Sequence, residues 1–277
     1  MNNRKDDHGK YISDNKSNKQ DTITNEEVLI NLNSLSDPFI CHDPHDFELV
    51  LTRDWAELDW RRYVLIDPGK TYFCMRIEKR DLLTDEVFTE EMVMINFNSK
   101  SERWTMHSTL YGRINNILDK YLPYFKETHI VAIEKQYIDN IKMLMLMQHL
   151  ITYFCINIKN AKFYPLILEL NNQVKTKVFG YKPPKGASKD VKDRRVKKWA
   201  EEKGYSILRE RGDMETVREI RCSEKMNDPY DTVVMGEALY LIFEKIEINF
   251  TKLHIYIPKE KKVKTNKPFK GKKRFRK

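Results

Sequence analysis

Tyr63-Val64-Leu65-Ile66 runs straight into Asp67-Pro68-Gly69. Four residues of β-forming, apolar character halted by a turn sequence read as a buried strand whose last side chain is a carboxylate. Working outward, Tyr72 to Glu78 and Val87 to Phe97 read as two more strands, joined closely enough to make an antiparallel meander. From Leu110 the apolar positions Ile114, Ile117, Leu118 and Tyr121 recur at helical spacing, and Pro123 ends that pattern. His129-Ile130-Val131-Ala132-Ile133 is a second buried strand and passes directly into Glu134. A helix over 138–154 and a strand over 165–170 complete an α/β alternation. Beyond a Lys-rich loop containing Pro183-Pro184, Ser188 caps a basic helix that is expected to end near Gly204. Residues 205–225 read as a polar connection, and Asn227-Asp228-Pro229 opens a last helix over 230–246.

The charge is unevenly placed. The 277 residues carry 50 Lys and Arg against 41 Asp and Glu, a net charge of +9. Eleven of the basic residues lie between Lys259 and Lys277 against a single acid, and ten lie between Val174 and Lys198 against Asp190 and Asp193. Residues 1–60 lean the other way, with six bases and thirteen acids. Such polarity suits a polyanion partner, since each cation on a binding face adds to phosphate affinity. Cys41, Cys74, Cys155 and Cys222 form no CxxC pair, which argues against a disulfide framework and a four-cysteine zinc site and for an intracellular, reducing setting. Cys41-His42 and His45 lack a spaced second ligand pair, so they read as a polar loop. The most apolar run, Ile141 to Ile156, is interrupted by Lys142, Gln148 and His149, and no membrane insertion is expected. The expected organisation is a disordered polar segment at 1–22, an extension without an assignable role at 23–58, an α/β domain at 59–257 and a basic, disordered tail at 258–277.

Four acids share an unusual setting. Asp67 and Glu134 end apolar strands, while Asp228 and Asp231 stand three apart at the start of the last helix, on one face. Strand ends and a helix start can meet at one sheet edge. Clustered carboxylates resist ionising together unless a cation lies between them, and hard oxygen ligands suit Mg²⁺ or Mn²⁺. Each acid also has an ordinary explanation: Asp-Pro-Gly is a turn, and Asp228 an N-cap that complements the helix dipole. Glu134 is harder to explain away, because a carboxylate directly after a buried strand risks desolvation.

Leu65-Ile66-Asp67-Pro68-Gly69, Ala132-Ile133-Glu134-Lys135-Gln136 and Asp228-Pro229-Tyr230-Asp231 leading into a helix together resemble the active-site pattern of RuvC-type Holliday junction resolvases, members of the RNase H-like superfamily. Gln173-Val174-Lys175-Thr176-Lys177-Val178-Phe179-Gly180 resembles the Lys-bearing stretch ahead of the basic helix in that family. The Glu-Lys-Gln form, the long Lys-rich insertion and the extra N-terminal segment look more like the resolvases of large cytoplasmic DNA viruses and of fungal mitochondria than the shorter bacterial enzyme, and the Asn- and Lys-rich style without an Arg-rich transit segment fits the viral branch better. The likeness covers roughly 60–246, and the last motif departs from the commoner forms by carrying Pro229 and Tyr230.

The resemblance implies an RNase H-like mixed sheet, an antiparallel meander plus parallel strands, flanked by helices. It implies that Asp67, Glu134, Asp228 and Asp231 hold two divalent cations about 4 Å apart. It offers Lys175 as the lysine near the scissile phosphate, with Lys189 as a competitor. A homodimer making paired nicks in a four-way DNA junction follows from the same likeness, as does a viral replication site in the host cytoplasm or nucleus. Lys70, Gln136, Lys182, Lys185, Lys189, Arg194, Arg195 and Lys198 are the expected DNA contacts, gripping backbone phosphates without reading sequence. The methionines Met143, Met145 and Met147 are expected chiefly in the core rather than at a dimer interface. Gly69-Lys70-Thr71 matches the end of a phosphate-binding loop, but Val64 stands where that loop needs a glycine, so no nucleotide cofactor is expected. A related nuclease acting on flaps or hybrids and a non-catalytic DNA-binding or packaging protein are the alternatives.

Overall fold

Strand β2 (Trp60–Asp67) organises a six-stranded mixed sheet. A computed structural model describes residues 24–35, 39–41, 58–69, 71–97, 108–158, 165–223 and 227–245. The proposed disordered segment at 1–22 and the basic tail at 258–277 lie outside them. On one side β2 pairs antiparallel with β3 (Tyr72–Asp81), which pairs antiparallel with β4 (Val87–Asn96). On the other it pairs in parallel with β5 (Ile130–Glu134), and β5 pairs in parallel with β6 (Leu166–Leu170). A three-residue strand, β1 (Phe39–Cys41), closes the far edge by antiparallel pairing with β6, giving the order β1-β6-β5-β2-β3-β4. The expected meander joined to parallel strands is therefore the observed sheet.

Strand alternation sorts the side chains into two cores. Val64, Ile66, Phe73, Met75, Ile77, Val131 and Ile133 face the helices α2 (Ser108–Lys120), α3 (Leu122–Phe125) and α4 (Ile141–Asn157). Met143 and Met147 of α4 enter this core, whereas Met145 is 49% exposed. The opposite face presents Tyr63, Leu65, Ile130, Ala132, Leu166, Leu168 and Leu170. Three helices cover it: α1 (Asn25–Asn33), α5 (Gln173–Val178) and α8 (Asn227–Tyr240), the last continuing as a π turn over Leu241–Lys245. Helix α1 and strand β1 come from the stretch to which the sequence assigns no role, yet Val28, Leu32 and Leu35 belong to this same core. No helix among the described residues is long and apolar enough to cross a membrane.

The basic helix does not stop near Gly204. Helix α6 runs from Lys189 to Glu210, and helix α7 (Met214–Cys222) follows it in what the sequence presents as a polar connection. The reason lies in packing. A Cβ on Gly204 would stand 2.9 Å from both Cβ and O of Tyr230, so the glycine lets α6 and α8 approach closely rather than ending a helix. The glycine that does end α6 is Gly212, whose φ of 73° lies in the left-handed region. Asp213 then caps α7 by accepting from the Thr216 amide at 3.1 Å.

Beneath α8 the sheet is charged. Alternate residues of β3, namely Arg76, Glu78 and Arg80, are at most 1% exposed. Glu78 bridges the two guanidinium groups, bonding Arg80 Nε at 2.6 Å and Arg76 directly. Arg80 continues to Glu237 of α8 at 3.0 Å, and Glu237 also takes Arg211. A Cβ on Gly236 would lie 2.7 Å from Glu78 Oε1, so α8 rests on this ion-paired stripe because Gly236 has no side chain. Burial alone would raise the Glu78 carboxyl, but Arg76, Arg80 and Arg211 outweigh it and hold the group down at about 2.

Replacing Glu78 by Gln leaves the buried Arg76 guanidinium without its anion and Arg80 with Glu237 alone, and is expected to cost about 3 kcal/mol or more at neutral pH. Because the folded carboxyl is depressed, its contribution is complete above the ordinary carboxylate range near 4.5 and is lost as pH falls through about 2. Urea unfolding of wild type and Glu78→Gln should therefore show a wide gap at pH 7 that narrows progressively in acid. A gap that is constant with pH would contradict this account.

Candidate active site

Parity and register bring the strand-end acids together. Tyr63 and Leu65 face α8, so Asp67, two residues on, takes the same face; Ile130 and Ala132 place Glu134 likewise. Ile66 is in register with Ile133 in the parallel β2–β5 pair, so Asp67 and Glu134 finish neighbouring strands at the same end. Gly69 secures the turn that follows Asp67, because a Cβ there would stand 1.7 Å from the carbonyl oxygen of Tyr72. The start of α8 lies over this edge and contributes Asp228, which is 8% exposed, and Asp231 one turn later. Asn227 donates to Asp228 Oδ1 at 3.1 Å.

Lys175 completes the group. The short helix α5 leaves its side chain only 4% exposed, and its ammonium bonds Asp231 Oδ1 at 2.7 Å and Glu134 Oε1 at 3.0 Å. Burial alone would lower the Lys175 ammonium, but Asp231 and Glu134 reverse that and hold it firmly protonated. The carboxylates feel one another as well. Desolvation, and then the charges of Glu134, Asp228 and Asp231, push Asp67 well above the usual carboxylate range, with Lys175 opposing. Asp231 is raised chiefly by desolvation, against the pull of Lys175. Both shifts follow first from the loss of water around the carboxylates and then from the like charges beside them, which Lys175 opposes.

The donor chemistry fits a hard divalent cation, since all four acids offer carboxylate oxygens in a desolvated edge. Their present spacing differs from a closed coordination shell. Among the described residues no group of three His, Cys, Asp or Glu side chains stands close enough to hold one ion, and Lys175 occupies the position between Glu134 and Asp231.

The expected DNA contacts divide by position. Lys182 and Lys185, on the connection after α5, are exposed, as are Lys189, Arg194, Arg195 and Lys198 on α6. Lys198 makes only an exposed pair with Glu202 at 3.5 Å, and Arg194 Nε reaches the Asp190 carbonyl at 3.4 Å. Gln136 lies beside the acids, where its side-chain amide donates to the Glu134 carbonyl at 3.2 Å. Lys70 falls outside the described residues. Lys175, with Glu134 and Asp231, is separated in character from this exposed set, whereas Lys189 is solvent-facing.

One neighbour is not singled out by the sequence. Cys74 is opposite Asp67 in the β2–β3 register and is 2% exposed, and its thiol is pushed well up by burial and by the charges of Asp67 and Asp228. Its place is readable once Tyr72 to Glu78 is taken as the meander partner of β2, because the tight turn fixes the register.

No family model matches the chain, and no curated protein matches it. Among solved structures it is similar to the yeast mitochondrial Holliday junction resolvase, with 16% identity over 76% of this chain and 90% of that one at a TM-score of 0.49. Similarity is also found to Thermus thermophilus RuvC, with 9% identity over 65% of this chain and 96% of that one at a TM-score of 0.39. The complex of T. thermophilus RuvC with a Holliday junction substrate gives 10% identity, 66% and 96% coverage and a TM-score of 0.41.

Proposed function

We propose that this chain is a divalent-metal-dependent endonuclease that resolves four-way DNA junctions by paired, symmetric phosphodiester hydrolysis. The observation that carries this reading is the meeting of Asp67, Glu134, Asp228 and Asp231 at one sheet edge, where the buried Lys175 ammonium bonds Glu134 and Asp231. Asp67, Glu134, Asp228 and Asp231 would hold two Mg²⁺ or Mn²⁺ ions. Bound there, such ions supply an activated water and charge stabilisation for the departing sugar oxygen. Lys175 bonds Asp231 and Glu134 in a desolvated setting and orients both carboxylates. An ammonium has three donors, and with two engaged by Asp231 and Glu134 the third is available to a phosphate oxygen. The exposed bases of the α5–α6 connection and of α6 grip the DNA backbone, positioning it without reading sequence. A two-fold substrate calls for a homodimer presenting two such edges. The Asn- and Lys-rich style of the chain, beside the likeness of the Glu134-Lys135-Gln136 form and of the Lys-rich insertion, supports a role in viral DNA recombination or replication.

The deciding assay compares a four-way junction with linear duplex, flap and RNA–DNA hybrid in the presence of Mg²⁺ or Mn²⁺. Paired symmetric nicks in the junction are expected. Unpaired nicks, or preference for flap or hybrid, would assign the site to another structured substrate. Asp67→Asn and Glu134→Gln should each reduce cleavage by more than about 100-fold while leaving junction binding intact. Binding without any metal-dependent cleavage by the wild type would favour a DNA-packaging role, with Lys175 as the permanent cation of the edge.

Stability offers an independent check. A carboxyl raised on folding costs stability as pH rises above its unfolded value, so Asp67 weighs more against the metal-free fold at neutral pH than in acid. Asp67→Asn should raise the metal-free Tm by about 2–4 °C and shrink the further rise that Mn²⁺ gives the wild type. A variant that melts no higher than the wild type would contradict the crowding of charge.

Charge reversal on α6 tests the grip. Changing Arg194, Arg195 and Lys198 together to Glu should weaken junction binding in low salt and flatten the dependence of log K on log salt by about three phosphate contacts. An unchanged salt slope would remove α6 from the DNA interface.

A further inference from the structure

We propose that α1, with the strand β1 that follows it, is a positioning element of the candidate active site: it fixes α5 so that Lys175 reaches Glu134 and Asp231. The inference rests on the functional reading above only for calling that edge catalytic; the positioning itself is a statement about Lys175 and is tested without turnover.

Helix α5 has few local bonds to hold its own place beyond Asn171 Oδ1, which accepts from the Gln173 amide at 3.0 Å. It is six residues long, and its N-cap residue Asn172 makes no side-chain capping bond. Helices this short are marginal in water and take their stability from what they pack against. Val174 and Val178, spaced i and i+4, form one apolar face and bury in the core that also contains Val28, Leu32 and Leu35. Leu32 is fully buried. Lys175 projects from the neighbouring face to the acids.

The N-terminal segment holds both ends of this short helix. At the C-terminal end, Lys177 Nζ donates to Ser34 Oγ at 3.1 Å, and Asn31 Nδ2 donates to the Lys177 carbonyl at 3.4 Å. At the entry, Phe39 of β1 pairs with Leu170, the last residue of β6 before the turn into α5. Helix α1 is in turn built to persist: Thr24 and Glu27 form a reciprocal capping box, with bonds of 3.2 Å and 2.9 Å. Ile30 marks the opposite, solvent side of α1 at 63% exposure. Leu32, Leu35 and Ser34 are thus positioning residues that act through Lys175.

The test is lysine-reactivity footprinting of the full chain with an acetylating reagent, without metal or DNA, quantified by mass spectrometry. In the wild type Lys175 should label slowly and the exposed Lys182 fast. Leu32→Ala should raise labelling at Lys175 about tenfold while leaving Lys182 unchanged. Leu32→Met should restore protection, and Ile30→Ala should change nothing. Amide exchange in β5, measured on the same samples, separates positioning from general loosening. The proposal is overturned if Lys175 stays protected in folded Leu32→Ala, or if its labelling rises only in step with β5 exchange. Should Leu32→Ala fail to fold, Leu35→Ala and Ser34→Ala carry the same comparison, with a rise of several-fold expected and no rise overturning it. Because labelling is independent of cleavage, a chain that cuts no junction can still show Lys175 positioned by α1, and an active nuclease can still show that it is not.

Discussion

The parallel pairing of β2 with β5 is the constraint from which the candidate site follows. Two strands that run the same way finish at the same edge, and their register makes Asp67 and Glu134 neighbours on one face. Neither carboxylate would choose this place for itself, since each loses water and gains a like charge. The burial of Tyr63, Leu65, Ile130 and Ala132 supplies the driving force that holds them there. Everything that later approaches this edge, α8 with its two aspartates and α5 with its lysine, meets a negative field already fixed by sheet geometry.

Helix α8 meets a second constraint along its length. Its first turn delivers acids to the edge, while further along Gly236 must lie against Glu78, and Glu237 must accept from Arg80 and Arg211. These contacts set the depth and rotation of the helix on the sheet. The ion-paired stripe is weak evidence for stability in itself, because desolvating so many charges offsets much of their attraction. Its role is better described as geometric: a charged face offers α8 few alternative seats, whereas an apolar one tolerates sliding.

Much of this was legible in the sequence, and the illegible part has physical causes. The strands announced themselves through short β-branched runs ended by a turn or a carboxylate, and the acids through their position at those ends. Three features escaped. Gly204 looks like a helix stop because glycine usually is one, and only the opposing Tyr230 reveals it as a contact point. Helix α1 and the three-residue β1 carry too few residues for a convincing period, and their partners lie more than a hundred residues away. The resemblance offers Lys175 as the lysine near the scissile phosphate; that its ammonium sits between Glu134 and Asp231 depends on how α5 is held, which no local pattern encodes.

The antiparallel pairing of β1 with β6 also bears on biosynthesis. The segment translated early waits for a strand made much later, and the acids of α8 emerge later still. A partly synthesised chain can build the β2–β4 meander on its own, but it has no complete acidic edge until α8 has left the ribosome. The charge crowded at this edge is thereby a property of the finished chain, assembled only when its last helix docks.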